Sequence, residues 1–248
     1  MSDLSGRTTI VVGASRGLGH GIASAFAEAG APVVAVSRTP ATFPPPTNGS
    51  GSVRPEHADA GDPRVAAELI DRFEPDTVVL VAGAVPHMRP LQEQTWETFS
   101  AGWETDVRVT FHWLREALLT PLRPGGRVVV ISSGAVLGGS PLSGGYAGAK
   151  ATQRFITGYA QGEADRAGLD LTFTTVLPKF APLTGVGRPA VRAYAARAGV
   201  SVEDFLRKAG PLLTPEIAGA ALVELVRTDA TAVAPAYLLD GAGTHRLP

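Results

Sequence analysis

Thr8-Thr9-Ile10-Val11-Val12-Gly13-Ala14-Ser15-Arg16-Gly17-Leu18-Gly19 is the stretch on which the fold turns. Its first five residues are all β-branched, without polar–apolar alternation, the pattern of a strand buried on both faces. Glycines at 13, 17 and 19 follow, and then a helical pattern with Ile22, Ala23, Phe26 and Ala27 on one face, closing at Gly30. Strand, glycine turn and helix together form the context in which a glycine motif points to a dinucleotide. Gly13 permits the tight turn, Gly17 lets backbone approach a pyrophosphate, and Gly19 allows close helix packing. Phosphates would then meet free N–H groups at the positive end of the helix. The spacing is G-x-x-x-G-x-G rather than G-x-G-x-x-G.

Outward from this stretch, apolar runs alternate with helical patterns, which predicts βαβ units and a parallel sheet. Strands are expected at 8–12, 32–37, 54–58, 76–82, 126–132, 170–176 and 236–239. Helices are expected at 17–30, 63–73, 95–119, 145–167, 189–209 and 215–227. Pro121 and Pro124-Gly125-Gly126 end the long third helix. Thr39 to Pro55, rich in proline, glycine and serine, reads as an exposed loop, either a wall at one end of a nucleotide site or plain surface. There is no internal repeat and no linker, and 248 residues fall within the range of one α/β domain with a large core.

A second constellation carries chemistry. Tyr146 and Lys150 are four apart, so a helix puts them on one face, and Ser133 follows the apolar run Val128-Val129-Val130-Ile131. A free phenol has a pKa of about 10 and transfers protons poorly at neutral pH. A neighbouring cation favours the phenolate. Reaching about 7 requires roughly 4 kcal/mol of differential stabilisation, which Lys150 and a positive nicotinamide ring can supply. A serine hydroxyl can hold the substrate oxygen while the tyrosine gives or takes its proton.

Together these features resemble the short-chain dehydrogenase/reductase family in its single-domain form. Further pieces fall in family order: Asp59 in His57-Ala58-Asp59-Ala60, Ala82-Gly83 after the fourth strand, Ser133 after the fifth, and Asp240-Gly241 near the C-terminal strand. The resemblance implies a Rossmann-like, doubly wound parallel β-sheet flanked by helices on both faces, a three-layer α/β/α domain over 1–248. It implies cofactor contacts from Gly13, Ser15, Arg16, Gly17, Leu18, Gly19, Ser37, Arg38, Asp59, Ala60, Ala82, Gly83, Tyr146, Lys150, Pro178 and Thr184. It also implies catalysis by Ser133, Tyr146 and Lys150, with Asp106 in a proton relay.

Three positions depart from the family pattern. Leu80 and Val81 replace paired asparagines that brace the central strand in relatives, so apolar packing is expected to substitute. Asp106 aligns with an asparagine that holds a relay water. An aspartate there can hold the water and raise the Lys150 pKa, or pair with Arg108 or solvent. Lys179 replaces a glycine over the nicotinamide and can face solvent, a cofactor phosphate or an acidic substrate, solvent being the expected outcome. Thr184 sits one place late for the threonine that contacts the carboxamide.

After the second strand comes Val36-Ser37-Arg38-Thr39, where an NAD site usually carries an acid to accept from the ribose 2′-OH. Arg38 and Arg16 can instead clamp a 2′-phosphate, which predicts NADP(H) as cofactor. Either arginine also reads as a solvated surface charge.

The variable segment runs from about 180 to 211. Phe180, Leu183, Tyr194, Phe205 and Leu206 can line a lid or pack helices. Arg188, Arg192, Arg197, Arg207 and Lys208 can meet an anionic substrate or solvent. His87, Met88 and the stretch 137–142 are further pocket candidates. The formal net charge of −1, without clustered positive charge, argues against nucleic acid as a partner. No cysteine is present, which excludes thiol catalysis, disulfides and cysteine–metal sites. No histidine–carboxylate cluster has metal-ligand spacing. The start carries no signal-peptide pattern and no run reaches membrane-spanning length, so a cytoplasmic protein without a membrane partner is expected.

These readings converge on an NADPH-dependent carbonyl reductase, or the reverse alcohol oxidation, acting on a small molecule. The alternatives are a non-catalytic NADP(H)-binding sensor or scaffold, and a cofactor-retaining lyase or epimerase. The family resemblance adds assembly into a homodimer or homotetramer through helices 95–119 and 145–167.

Overall fold

The computed structural model describes residues 4–47 and 51–248. The first three residues of the chain, and the middle of the expected loop Thr39 to Pro55, lie outside the described residues. Eight strands form one sheet in the order β3-β2-β1-β4-β5-β6-β7-β8. They are β1 (Thr9–Val12), β2 (Pro32–Ser37), β3 (Ser52–His57), β4 (Thr77–Leu80), β5 (Gly126–Ile131), β6 (Leu171–Pro178), β7 (Ala236–Asp240) and β8 (Gly243–Leu247). The first seven pair in parallel and β8 pairs antiparallel with β7. Helices cover both faces, giving the expected three-layer architecture.

Alternation along each strand explains why the central strands are apolar throughout. Ile10, Val12, Val78, Leu80, Val128 and Val130 enter one core; Val11, Val79, Val129 and Ile131 enter the other. The second core is closed by α1 (Gly17–Glu28) and α9 (Pro215–Arg227), through Ile22, Phe26, Leu222 and Val226. The first is closed by α2 (Pro63–Phe73), α4 (Arg108–Leu119) and α6 (Gly144–Ala167), through Leu69, Ile70, Trp113, Leu114, Ala160 and Ala164. Fully burying each large side chain is worth about 1.5–3 kcal/mol. Local signals set the helix starts. Asp62 accepts from Arg64 N ahead of Pro63, and Thr214 accepts from Ile217 N ahead of Pro215.

Two expected helices are broken. The span 95–119 divides into α3 (Trp96–Gly102), a π-helical turn at Trp103–Val107, and α4. The span 189–209 divides into α7 (Gly187–Arg197) and α8 (Val202–Ala209). Gly199 adopts φ +64° between them, and Ser201 caps α8 through Asp204 N. A short helix, α5 (Ala135–Gly138), follows β5. Strand β8 was not expected. It forms because the turn at 240–243 returns the chain along β7, with Asp240 Oδ1 accepting from Ala242 N at 2.9 Å and Gly243 at φ +116°.

Neighbours β1 and β4 run to opposite sides of the sheet order, so a crevice opens beyond their carboxyl ends. Gly13 lies there. A Cβ on it would stand 2.5 Å from Ala82 N. A Cβ on Gly19 would stand 2.2 Å from Gly13 O, so helix α1 seats on the turn only because both positions are glycine.

Candidate active site

One large cleft of about 1020 Å³ runs across the carboxyl ends of the strands. At one end it is lined by Gly13, Ser15, Arg16, Gly17, Leu18 and Gly19, by Ser37 and Arg38 after β2, and by Asp59 and Ala60 after β3. Ala82 and Gly83 line its middle with Ser133, Tyr146, Lys150, Pro178 and Thr184. Every residue expected at the site therefore borders one cavity. The fold does this by ending each parallel strand at the same edge.

The nucleotide end has the form of a phosphate cradle. Arg16 is the N-cap residue of α1 and makes no side-chain cap, and the first turn holds no acid, so the leading N–H groups of α1 are open to an anion. Gly17 adopts φ +56°, and a Cβ there would rest 3.5 Å from Thr184, closing the space above the helix end. A dinucleotide fits this set of residues. Arg16 and Arg38 are exposed along the rim. Arg108, which no motif pointed to, joins them: its guanidinium lies beside the Asp59–Gly61 turn, where Asp59 Oδ1 accepts from Gly61 N at 3.0 Å. Of the described part of the loop after β2, only Thr39 lines the cleft. The rest is held on α1, with Phe43 stacked on His20 at 4.4 Å and Thr47 N donating to Glu28.

At the centre, α6 carries Tyr146 and Lys150 on one face, as their spacing requires. Lys150 Nζ lies 5.6 Å from the Tyr146 ring centroid and donates to Ile131 O at 3.1 Å. The two serines after β5 separate: Ser132 Oγ donates to Lys150 O at 2.7 Å inside the protein, while Ser133 faces the cleft and its Oγ accepts from Ala135 N at 3.2 Å. Both border the cleft, but the Ser132 hydroxyl is committed to Lys150 O.

Asp106 pairs with neither Arg108 nor solvent. It is fully buried, its Oδ2 stands 3.1 Å from Lys150 Nζ, and its Oδ1 accepts from Ala84 N at 2.6 Å. The π turn places it there. The polar debt of that turn is met inside the fold by Thr110 Oγ1 and Gln153 Nε2, which donate to Asp106 O at 2.8 and 3.1 Å. Burial disfavours the Lys150 ammonium, but the Asp106 carboxylate, Tyr146 and the hydrogen bond to Asp106 outweigh it. The lysine is held above its ordinary value. The same carboxylate ties down the loop after β4. A Cβ on Gly83 would lie 2.8 Å from Asp106 Oδ2, so that loop closes directly onto the acid. Leu80 is buried at 2% exposure and Val81 packs on the core, so the expected apolar substitution for the family asparagines is present too.

Lys179 borders the cleft and is exposed, as expected, but it is not free. Its Nζ pairs with Asp240 Oδ2 at 3.3 Å, tying the end of β6 to the turn after β7. Thr184 lines the cleft, but its hydroxyl is committed: it donates to Ala181 O at 2.8 Å and accepts from Gly187 N at 2.9 Å. Met88 and Leu137 line the cleft, whereas His87 and Leu142 do not. Tyr194, Phe180, Phe205 and Lys208 line its far end.

The family profile described as short chain dehydrogenase matches residues 7–188. The chain belongs to the short chain dehydrogenase family. It is similar to L-xylulose reductase of Homo sapiens, 32% identical over 105 residues, 42% of this chain and 43% of that protein. It is also similar to versicolorin reductase 1 of Aspergillus parasiticus, 34% identical over 164 residues, 60% of this chain and 62% of that protein. The matched stretch thus spans roughly half the length of these curated relatives. Among solved structures, a candidate NAD(P)-dependent gluconate 5-dehydrogenase from Beutenbergia cavernae, holding NADP at low occupancy, superposes with a TM-score of 0.77. It is 26% identical and the match covers 97% of each chain. A short chain dehydrogenase from Mycobacterium avium shares the fold with a TM-score of 0.75 at 23% identity, covering 100% of this chain and 86% of that one.

Proposed function

We propose that the protein is an NADP(H)-dependent carbonyl reductase, able to run in reverse as an alcohol dehydrogenase, acting in the cytoplasm on a small molecule. The observation that carries this reading is the convergence of Ser133, Tyr146 and Lys150 on the cleft that also holds the phosphate cradle. When bound, the cofactor supplies or accepts the hydride at the carbonyl carbon. Ser133 hydrogen-bonds the carbonyl oxygen and orients it. Tyr146 gives its hydroxyl proton to that oxygen as the C=O π bond is replaced by C–H and O–H bonds, and takes the proton back in the reverse direction. Lys150 supports the charge that this leaves on the phenol. Asp106 holds Lys150 in place at 3.1 Å.

The NADP(H) preference rests on Arg38 and Arg16 at the rim, with no acid after β2 where an NAD site would carry one. The segment 180–211 serves as the lid of a single 1–248 domain. Assembly into a homodimer or homotetramer belongs to the same reading. Phe111, Phe155 and Tyr159 are 52%, 71% and 66% exposed on α4 and α6, helices that pack against each other, and such apolar area is what a second copy would cover.

Tyr146→Phe tests the chemistry. It should retain NADPH affinity within about threefold and lower kcat by at least ~10²-fold, the usual contribution of a positioned acid. Retained turnover in an absorbance assay over a panel of ketones would refute the role.

A further inference from the structure

The far half of the cleft is walled by three rings that form one cluster. Phe180 meets Tyr194 and Phe205 edge-on, at 6.0 and 5.6 Å between centroids, and Tyr194 lies within 9° of parallel to Phe205 at 6.4 Å. All three line the cavity and all are half-buried, so part of each ring is left to whatever enters. Tyr194 is fixed at its polar end. Its hydroxyl meets Ser140 Oγ, which meets Ser143 Oγ at 2.6 Å, in the loop that leads into α6 three residues before Tyr146. The ring is thereby held against the catalytic loop with its polar atom already satisfied. Exposed aromatic faces of this kind gain most from a flat apolar guest, which removes ring surface from water and stacks.

Charge on this wall is one-sided. Helix α8 buries none of its residues, yet Phe205 and Lys208, three apart, both line the cleft. Lys208 has no ion partner among the described residues, whereas Lys179 is paired with Asp240 and Arg207 with Glu203 and Asp204. The acids lining the cleft are Asp59, at the nucleotide end, and Asp106, beneath Lys150. The substrate half thus offers stacked rings and one uncommitted cation, with no carboxylate opposing it.

We infer that the substrate is an aryl ketone bearing a carboxylate, its ring against Tyr194 and Phe205 and its acid at Lys208. This rests on the carbonyl-reductase reading and names the substrate class of that site. The test compares kcat/KM with NADPH for 4-acetylbenzoate, acetophenone and 5-oxohexanoate. The aryl acid should exceed the aliphatic acid more than about tenfold, from lost stacking and burial. It should exceed neutral acetophenone about fivefold, the scale of an exposed ion pair. Lys208→Glu should bring the acid-over-neutral ratio to one or below, and Phe205→Leu should shrink the aryl-over-aliphatic ratio. Equal use of 5-oxohexanoate, or an acid-over-neutral ratio untouched by Lys208→Glu, overturns the inference. Calorimetric binding of 2-naphthoate and cyclohexanecarboxylate to the NADP⁺-loaded protein separates the two readings. If no carbonyl is reduced, the reductase reading fails. A preference for 2-naphthoate that Lys208→Glu weakens still supports this substrate class, and equal binding of the two acids overturns it.

Discussion

Replacing Asp106 by asparagine removes one negative charge and one acceptor from beneath the cleft with almost no change of shape. The carboxylate stands 3.1 Å from Lys150 Nζ, with side-chain exposures of 0% and 5%. At an effective dielectric of about 20, that separation corresponds to an attraction of about 5 kcal/mol. Desolvation of two buried ions offsets much of it, so the relevant quantity is the cost of removing one partner, about 3–5 kcal/mol. Asparagine cannot restore both contacts. Its one carbonyl oxygen serves either the Ala84 N–H, now at 2.6 Å from Oδ1, or the ammonium, and its NH₂ then faces a donor. At about 2–4 °C per kcal/mol for a chain of this size, the Tm should fall by about 10 °C.

The pH dependence carries the sharper signal. In the wild type the Lys150 pKa is raised above its ordinary 10.5. The stabilisation from the pair is then complete below the unfolded-state value and is lost as pH climbs through the raised one, so Tm declines only on the alkaline side. With the carboxylate gone, burial is left as the dominant influence and pulls the folded pKa below the unfolded one. The unfolded chain then binds more protons, and Tm rises with pH through that window. Scanning calorimetry of both proteins from about pH 7 to pH 11, bracketing the ordinary lysine value, reads the two slopes directly. An Asp106→Asn protein that melts within about 2 °C of wild type, with the same slope, would refute the ion-pair argument, since the expected loss is several times larger.

Arg38→Asp should weaken NADP(H) binding about tenfold to a hundredfold relative to NAD(H), because one charge-assisted bond is lost and a like charge is introduced. Fluorescence titration with both cofactors measures the ratio, and an unchanged ratio would remove the basis for the cofactor assignment. Phe155→Glu places a charge where Phe155 is 71% exposed on α6. If a second copy covers that ring, self-association should weaken at least about thirtyfold, the equivalent of about 2 kcal/mol of buried aromatic surface. Light scattering reads the mass of each protein, and a monomeric wild type ends the oligomer proposal.

Much of this architecture was legible in the chain because its signals are local. The run Thr9–Val12 is β-branched and buried at every position because the strand is covered on both faces, and Gly13, Gly17 and Gly19 are glycines because close backbone and a left-handed turn exclude a Cβ. Helices 63–73 and 215–227 begin at capping residues followed by proline, so their limits could be read directly. The break between α7 and α8 also has a local signal, Gly199 followed by the cap Ser201 and Asp204. The π turn at Trp103–Val107 left none. An extra residue in a helical turn changes neither composition nor propensity, and its two internal donors, Thr110 and Gln153, read as ordinary helix residues.

Sequence by itself determined the seven parallel strands, the glycine turn into α1 and the Tyr146–Lys150 pair, since each depends on residues within one turn or one short loop of each other. Tertiary structure alone decided that Asp106 grips Lys150 from 44 positions away and that Lys179 is taken by Asp240 across 61. It also decided that Phe180, Tyr194 and Phe205 share one wall with an unpaired Lys208. Charge partners and ring clusters of that kind are set by where packed elements cross, and the chain spells out its elements but not their crossings.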